Sequence, residues 1–332
     1  MQLKPIAQQV VVVFGASSGI GRITALEFAK RGAKLIVSAR NLDGLTTLLA
    51  EIQDLGGEAI AVPADASIFE QVKAVADKAV EEFGRLDTWI HAAAVNLYAT
   101  FEQTQPDEFK RVMDINAMGQ VYGAMAALPY LKQQGGALIH ISSVEARRAL
   151  PYHSAYAAAK HAIDGFLEVL RVELKHEKTP VSVTNIMPAS INTPLFNKAR
   201  SKIGVKPQGL PPIYKPEAVA EAILYAAEHP TRELVVGGAG QAIQWMERLS
   251  PSLTDALMNR VGFQLQQTNE PKAETEPDNL DAPIAGYNTV VGDFSEQARS
   301  SLFTWLEIHP AAKWGILAAL GVFIITLLPS AL

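Results

Sequence analysis

Short runs of consecutive apolar residues recur through the first 240 positions of the chain, and longer amphipathic stretches separate them. The runs begin near residues 10, 34, 59, 86, 137, 181 and 232. Consecutive apolar, β-branched residues are typical of parallel strands that are buried on both faces. The longest amphipathic stretches, about 106–133 and 154–177, indicate helices. This alternation predicts an α/β fold with a doubly wound, parallel, seven-stranded sheet of the Rossmann type.

The pattern changes near residue 262 and divides the chain into three parts. Residues 1–262 predict the Rossmann domain, residues 263–301 an extension, and residues 302–332 an apolar C-terminal helix. The first half of the extension, Gln264–Pro283, is rich in Gln, Glu, Asp and Pro, which predicts a solvated linker. Apolar residues return over Asp281–Ser301, so we expect that segment to lie across the Rossmann domain.

The last nineteen residues, Trp314–Leu332, carry no charged side chain. Trp305 and Trp314 flank the near side, as aromatic anchors at a membrane interface do. A spanning helix needs about 20 apolar residues, and Pro329 shortens this one. We expect a single-pass C-terminal membrane anchor; a helix buried in an oligomer or lying in the membrane surface would have the same composition. The N-terminus has no apolar secretory signal, so we expect the folded domain on the cytoplasmic side.

Composition and charge exclude several classes of function. With 332 residues and 48% hydrophobic content, the chain can bury a large core. A net charge of −5 without a long basic patch gives no indication of nucleic-acid binding. The absence of cysteine excludes disulfides and zinc–thiolate sites and permits a reducing compartment. The seven histidines show no metal-binding spacing, so no metal site is predicted.

A glycine-rich turn follows the first predicted strand. Val10–Phe14 is the strand, Gly15–Gly21 reads Gly-Ala-Ser-Ser-Gly-Ile-Gly, and an amphipathic helix comes next. Glycines let the backbone approach a pyrophosphate, and the N-terminus of the helix offers free N–H groups and a partial positive charge. In this setting between strand and helix, the turn predicts a dinucleotide site.

A second motif places Tyr156 and Lys160 four residues apart on a predicted helix. Residues at this spacing share a helix face, and a neighbouring ammonium favours the phenolate, which suits a phenol for proton transfer. An ordinary exposed pair would have the same spacing. Ser143 ends a predicted buried strand, where it can bond a substrate oxygen. Asn116 lies within a helical pattern, where it either holds a relay water or is a satisfied core amide.

Taken together, these motifs resemble those of the short-chain dehydrogenase/reductase family over about residues 5–240. The resemblance implies the catalytic set Asn116, Ser143, Tyr156 and Lys160, with Pro188–Thr193 closing over the nicotinamide. It also implies that Asp65 hydrogen-bonds the adenine. The residues expected to bind the cofactor are Gly15, Ser17, Ser18, Gly19, Ile20, Gly21, Arg22, Arg40, Asp65, Ala92, Ala93, Tyr156, Lys160, Pro188, Ile191 and Thr193.

The sequence departs from the family's pattern in three places. Phe14 stands where the family usually has Thr, and Ala189 replaces the usual Gly. The family's Asn-Asn-Ala-Gly motif reads His91-Ala-Ala-Ala94, which removes the hydrogen bonds of the asparagine side chains. We expect the change at His91–Ala94 to affect local rigidity more than chemistry.

The second predicted strand indicates which nicotinamide cofactor is used. An acidic residue at its end would bind the 2′-hydroxyl of NAD and repel a 2′-phosphate. Here the strand ends in Ala39 and Arg40, and Arg22 follows the glycine turn. A guanidinium suits phosphate recognition, so we expect NADP(H), with Arg40 and Arg22 at the 2′-phosphate; two solvated arginines are the alternative.

The sequence therefore predicts an NADP(H)-dependent oxidoreductase that interconverts a carbonyl and a secondary alcohol. Leu195, Phe196, Ile203 and Val205 give the predicted substrate loop an apolar lining, which favours a lipophilic substrate; packing within the loop is the alternative. The other functions left open are a membrane-tethered scaffold or sensor that binds NADP with little turnover, and an epimerase on the same fold. The family resemblance implies a homodimer or homotetramer.

Overall fold

Seven parallel strands form the central sheet in the order β3-β2-β1-β4-β6-β7-β10, which confirms the predicted fold class. A computed structural model describes residues 1–327, apart from the side chains of residues 317 and 320–327. In chain order the strands are β1 (Val10–Phe14), β2 (Lys34–Ala39), β3 (Glu58–Pro63), β4 (Thr88–His91), β5 (Leu97–Tyr98), β6 (Gly136–Ile141), β7 (Val181–Pro188), β8 (Arg200–Ser201), β9 (Val205–Pro207), β10 (Glu233–Val236) and β11 (Gln267–Pro271).

Helices cover both faces of the sheet and bury two apolar cores. Helices α1, α2 and α8 pack over one face, while α3, α4, α5 and α6 pack over the other. The helices are α1 (Gly19–Lys30), α2 (Leu42–Asp54), α3 (Phe69–Phe83), α4 (Pro106–Met113), α5 (Gly119–Gln134), α6 (Ser154–His176), α7 (Leu195–Lys198), α8 (Glu217–Glu228), α9 (Gly238–Leu249), α10 (Pro251–Leu257), α11 (Leu302–Glu307) and α12 (Pro310–Leu327).

The strand order reverses at β1, which pairs with β2 on one side and β4 on the other. In open α/β sheets, ligands bind outside the carboxyl ends of the strands at such a reversal. The glycine turn follows β1 there, and His91–Ala94 follows β4.

The C-terminal strap, which we define as residues 267–301, packs onto the Rossmann domain. Its strand β11 pairs with β9, and the side chains of Leu280 and Phe294 are buried. The sequence predicts a solvated linker over Gln264–Pro283, whereas Gln266 and Leu280 are fully buried in the structure. The polar composition does not reveal this contact, because the segment is held on the Rossmann domain by backbone pairing and ion pairs as well as by a few apolar side chains.

Ion pairs between the strap and the predicted substrate loop are numerous. Arg200 bonds Asp278 at 2.8 Å and Asp281 at 2.7 Å, while Lys206 bonds Asp293 at 2.5 Å. The Nζ of Lys272 donates in return to the carbonyls of the loop residues Asn197 and Ala199. A basic loop and an acidic strap therefore hold each other in place.

Helix α11 packs on α9 and β10 and leads into α12. Among the described residues, no helix is both long enough and apolar enough to cross a membrane. The predicted anchor over 314–332 runs on into residues 328–332, which lie outside the described part of the chain.

Candidate active site

A single cleft at the carboxyl edge of the sheet brings together most of the side chains predicted from the sequence. Its lining includes the glycine turn, Arg40, Asp65, Ser143, Tyr156, Lys160 and the Pro188–Thr193 segment. Asn116 and Arg22 are the two predicted site residues that do not line it. One end of the cleft thus carries the nucleotide motif and the other the groups suited to proton transfer.

Tyr156 and Lys160 are both buried in the first half of α6. The Nζ of Lys160 lies 5.2 Å from the centre of the Tyr156 ring and donates a hydrogen bond to the carbonyl of Ile141 at 2.8 Å. The hydroxyl of Ser143, at the end of β6, faces Tyr156 and accepts a hydrogen bond from the backbone N–H of Glu145 at 3.1 Å. The three groups share one small volume, as the spacing of the motif predicts.

Burial dominates the proton affinities of this group. It raises the pKa of Tyr156 well above the usual value near 10; Glu145 raises it further, and the nearby Ser143 hydroxyl offsets part of the rise. Burial also lowers the pKa of Lys160 to about 7, against the opposing charges of Glu145 and Asp164. The expected lowering of the Tyr156 pKa is therefore absent here, because desolvation by burial is the largest effect on this phenol.

Asn116 lies in a π-helical turn, Asp114–Met118, between α4 and α5. Its side-chain oxygen accepts from the backbone N–H of Val95, and its amide donates to the Val95 carbonyl, both at 2.8 Å. Both ends of the carboxamide are thereby occupied in clamping the loop after β4. These two hydrogen bonds are those expected of a core amide, the second of the two roles left open by the sequence.

Two glycines of the turn occupy positions that other residues would obstruct. Gly15 has φ of +92°, and a Cβ there would lie 2.4 Å from the Ala93 nitrogen. A Cβ on Gly21 would lie 2.1 Å from the Gly15 carbonyl oxygen. Glycine at position 15 lets the turn pass against the loop after β4, and glycine at position 21 lets the first turn of α1 pack against the Gly15 carbonyl.

The two arginines predicted at the 2′-phosphate have different surroundings. Arg40 lines the cleft and donates to the carbonyls of Asn279, Leu280 and Asp281 in the strap. Arg22 is 2% exposed, and its guanidinium bonds Glu51, Thr47 and the carbonyls of Ser17 and Gly44. The prediction that Arg22 binds the 2′-phosphate is therefore wrong, because the N–H groups of its guanidinium already bond residues that join α1 to α2.

Asp65 lines the cleft after β3, where its carboxylate is held in a fixed orientation. One oxygen accepts from Ser67 and the other from Arg111 at 2.9 Å. Burial alone would raise the pKa of Asp65, but these hydrogen bonds bring it below the usual value. The side chain is thus ionised and oriented at neutral pH.

The strap forms the outer wall of the nucleotide end of the cleft. Asn279, Pro283 and Ile284 line it opposite the glycine turn. The backbone N–H of Gly19, in the first turn of α1, donates to the carbonyl of Thr289 at 2.9 Å. The nucleotide end is therefore enclosed by residues far apart in the sequence.

Known proteins resemble this chain in sequence or in fold. Residues 9–204 match the short chain dehydrogenase family. The chain belongs to the short-chain dehydrogenase family. It is 41% identical over 283 residues to the uncharacterized oxidoreductase YxnA of Bacillus subtilis, covering 84% of this chain and 80% of that protein. It is 31% identical over 281 residues to 11-beta-hydroxysteroid dehydrogenase A of Sesamum indicum, covering 81% and 79%.

Among solved structures, the fold matches an alcohol dehydrogenase from Thermococcus sibiricus complexed with 5-hydroxy-NADP. The TM-score is 0.60 and the identity 27%, with 68% of this chain and 95% of the other covered. The protein is accordingly an oxidoreductase of the short-chain dehydrogenase family, whose fold binds a nicotinamide cofactor. Its substrate is a small molecule.

Two of the departures from the short-chain dehydrogenase pattern lie against each other. The rings of Phe14 and His91 stack at 4.9 Å with their planes 9° apart, and both are buried. Gly123 on α5 makes room for the imidazole, since a Cβ there would lie 2.4 Å from its Nδ1. Stacking thus replaces the polar contacts that the family's residues would make, and the loop after β4 keeps its place.

Sequence reasoning did not assign four residues of this short-chain dehydrogenase cleft. Glu145 and His153 are buried beside Tyr156 and joined by a 2.9 Å contact, and Tyr98 packs on His153. Lys198 is buried and donates to the Ser18 hydroxyl at 3.0 Å, beside the glycine turn. No motif in the sequence places Glu145 at the site, because its pairing with His153 depends on the turn between β6 and α6.

Proposed function

We propose that the protein is an NADP(H)-dependent oxidoreductase that interconverts a carbonyl group and a secondary alcohol on a lipophilic substrate. The observation that carries this proposal is the shared cleft. The glycine turn and Arg40 line one end, and Ser143, Tyr156 and Lys160 line the other. A site for a dinucleotide and a proton-transfer group therefore face one space.

The preference for NADP(H) rests on the end of β2. No carboxylate follows this strand: the residues there are Ala39, Arg40 and Asn41, and all three line the cleft. Arg40 now donates to neutral carbonyls of the strap. Hydrogen bonds from a guanidinium to a phosphate are stronger than those to a carbonyl, so exchange of these partners for a 2′-phosphate is favourable.

Lys198 supports the same assignment from the pyrophosphate side. Its ammonium lies beside Ser18 at the N-terminus of α1, where backbone N–H groups face the cleft. Burial, with the nearby charge of Arg22, lowers the pKa of Lys198 to about 8, which leaves it mostly protonated at neutral pH. A pyrophosphate bound there would contact the Lys198 ammonium as well as the positively polarised N-terminus of α1.

The proton steps follow from the other end of the cleft. The cofactor supplies hydride to the carbonyl carbon when it is bound. Tyr156 donates its phenolic proton to the carbonyl oxygen in reduction and takes it back in oxidation. Its raised pKa keeps the phenol protonated, which suits the reductive direction. Ser143 bonds the same oxygen, and Lys160 stabilises the negative charge that develops on Tyr156.

The remaining lining of the cleft is mainly apolar on the substrate side, where Val144, Leu150, Leu195, Phe196 and Leu210 contribute. Burial of an apolar ligand against such side chains is favourable in proportion to the area removed from water. The similarity to a protein named 11-beta-hydroxysteroid dehydrogenase A adds support for a lipophilic substrate.

We further propose attachment to a membrane through the apolar C-terminal tail, with the catalytic domain on the cytoplasmic side. Near α11, which leads towards this tail, α9 and α10 expose large apolar side chains: Trp245 (58%), Leu249 (86%) and Leu253 (60%). Flotation of the full chain with phosphatidylcholine vesicles tests the attachment. Recovery in the vesicle-free fraction, equal to that of a variant shortened after residue 309, would reject it.

A homodimer or homotetramer through α5 and α6 is proposed from the apolar residues these helices expose. Met125 is 56% exposed, Val169 57% and Val172 68%. Light scattering of detergent-solubilised protein should give a mass of at least two chains. The variant Val172→Glu should lower that mass, and a monomeric wild type would refute the assembly.

A substrate screen on detergent-solubilised protein tests the catalytic proposal. Ketones and secondary alcohols from short chains to steroids are offered with NADPH or NADP⁺, and with NADH or NAD⁺ in parallel. We expect turnover of apolar ketones with NADPH. Cofactor binding without turnover across the screen would instead indicate a scaffold or sensor, and faster turnover with NADH would overturn the cofactor assignment.

A further inference from the structure

A group of buried polar atoms on the substrate side of the cleft lacks hydrogen-bond partners. Within the described residues, neither the Tyr98 hydroxyl, the Nε2 of His153 nor the Oε1 of Gln266 has a partner. All three side chains line the cleft that contains Tyr156, and their exposed fractions are 0%, 4% and 0%. Buried polar atoms are normally paired, because leaving them unpaired costs stability.

The surroundings of these atoms fix what each can offer a ligand. Both carboxylate oxygens of Glu145 lie 2.9 Å from the Nδ1 of His153, so the ring proton resides on Nδ1. In this tautomer the Nε2 atom is a hydrogen-bond acceptor. The Nε2 of Gln266 donates to the carbonyls of Pro151 and Gly262, which identifies its free Oε1 as a second acceptor.

Tyr98 adds a group that can both donate and accept. Its ring contacts His153 edge-on at 4.4 Å between centres, and His153 lies 5.6 Å from the Tyr156 ring. Burial and the charge of Glu145 raise the pKa of Tyr98, so its hydroxyl stays protonated. A ligand hydroxyl matches this set, because it donates to an acceptor and accepts from the Tyr98 O–H.

Two other ligand groups match the site less well. A carboxylate on the ligand would meet two acceptors and the negative charge of Glu145. An ammonium would satisfy the acceptors, but it could not accept the Tyr98 proton. A single additional hydroxyl close to the reacting carbonyl therefore fits this group of atoms best.

We propose that Tyr98, His153 and Gln266 form a subsite for a hydroxyl group on the substrate, so that the substrates are hydroxylated lipophilic ketones and the corresponding diols. This inference rests on the proposed carbonyl reduction, whose substrate class it narrows. Glu145 acts through His153 as a positioning residue, since it fixes the tautomer that the subsite requires.

The test compares 2-decalone with its monohydroxy and monoamino derivatives under NADPH, using the full chain in detergent. We expect at least one hydroxydecalone to have a kcat/KM about 10-fold above that of the plain ketone, which corresponds to one well-formed hydrogen bond. In Tyr98→Phe the ratio of the two kcat/KM values should fall to about 1, and the same is expected for Gln266→Met. Tyr225→Phe on α8, outside the cleft, is the matched control and should keep the preference.

Binding to the Tyr156→Phe variant tests the subsite without turnover. Calorimetry with the same ketones should show the hydroxy derivative binding more tightly than 2-decalone, with the difference lost in Tyr98→Phe/Tyr156→Phe. A protein that reduces no ketone but retains this binding difference would refute the proposed reaction and keep the subsite. Equal affinity for the plain and the hydroxylated ketone would refute the subsite, as would tighter binding of the amino derivative. An equal loss of affinity for all ligands on Tyr98→Phe would refute it too. The unpaired atoms would then bind a buried water or serve only in packing.

Discussion

The imidazole of His91 stacks on the ring of Phe14 at 4.9 Å between centres, joining the end of β4 to the end of β1. Stacked aromatic pairs contribute about 0.5–1.5 kcal/mol beyond the area that they bury. Burial also lowers the pKa of His91 well below its usual value, so the ring is neutral. The glycine turn and the loop after β4 are therefore supported by an apolar contact.

A double-mutant cycle should detect this contact. Phe14→Leu keeps an apolar side chain but removes the ring, and His91→Asn restores the family's residue. We expect each change to lower the free energy of unfolding, and their coupling to be about 1 kcal/mol. Urea unfolding of the four proteins measures the coupling. Strictly additive effects would show that the two rings only fill space.

Tyr156→Phe should reduce turnover by at least ~10²-fold, because the variant cannot supply the proton in the transition state. The ring stays in place, so the affinity for NADPH should change little. Single-turnover kinetics and cofactor titration separate the two quantities. Near-normal turnover would assign the proton transfer to another group.

Lys160→Met should change how stability depends on pH. The pKa of Lys160 is about 7 in the folded protein and near 10.4 in an unfolded chain, so the unfolded chain binds more protons between these values. The stability of the wild type relative to Lys160→Met should therefore rise with pH, by up to about 1.4 kcal/mol per unit. It should level off below pH 7, where both states carry the proton. Denaturant titrations from pH 6 to pH 9.5 measure it, and a flat difference would contradict the burial of a weakly basic Lys160.

Arg40→Ser should weaken NADPH binding about 10-fold or more, since charge-assisted hydrogen bonds to the 2′-phosphate would be lost. NADH binding should change much less. Arg31→Ser, at the exposed end of α1, is the matched control. Equal losses for both cofactors would mean that Arg40 serves only to hold the strap.

Asp278→Asn combined with Asp281→Asn should loosen the strap by removing the partners of Arg200. Partly exposed ion pairs contribute up to about 1 kcal/mol each, so amide exchange in residues 273–292 should accelerate about 10-fold. Bound NADPH should slow it again. Asp54→Asn on α2 is the control, and unchanged exchange in the double variant would show that backbone pairing alone retains the strap.

Much of this fold could be predicted because its determinants are local. The apolar runs predict strands within two residues of β1 and β6, and the i, i+4 spacing brings Tyr156 and Lys160 together on α6. The strap has no comparable signal. Its attachment depends on pairs such as Arg200 with Asp278 and Lys272 with the Asn197 carbonyl, which are remote in sequence and have no periodicity.

The same limit explains the errors at individual residues. Arg22 has the residue type of a phosphate ligand. It lies where α1 meets α2, however, and its guanidinium forms an ion pair with Glu51. The adjacent Lys160 predicts a lowered pKa for Tyr156, yet desolvation is the larger effect and raises that pKa. Residue type and spacing indicate which groups meet, whereas depth of burial decides how they titrate.

The outer wall of the nucleotide cleft comes from residues 279–289, long after the last strand of the sheet. Domains fold from the N-terminal side during synthesis, at about 5–20 residues per second. The glycine turn therefore faces solvent for several seconds after the sheet has left the ribosome. If the nucleotide binds at the glycine turn as we propose, one that arrives in that interval meets an open cleft, whereas one that arrives later meets a Gly19 N–H already bonded to Thr289.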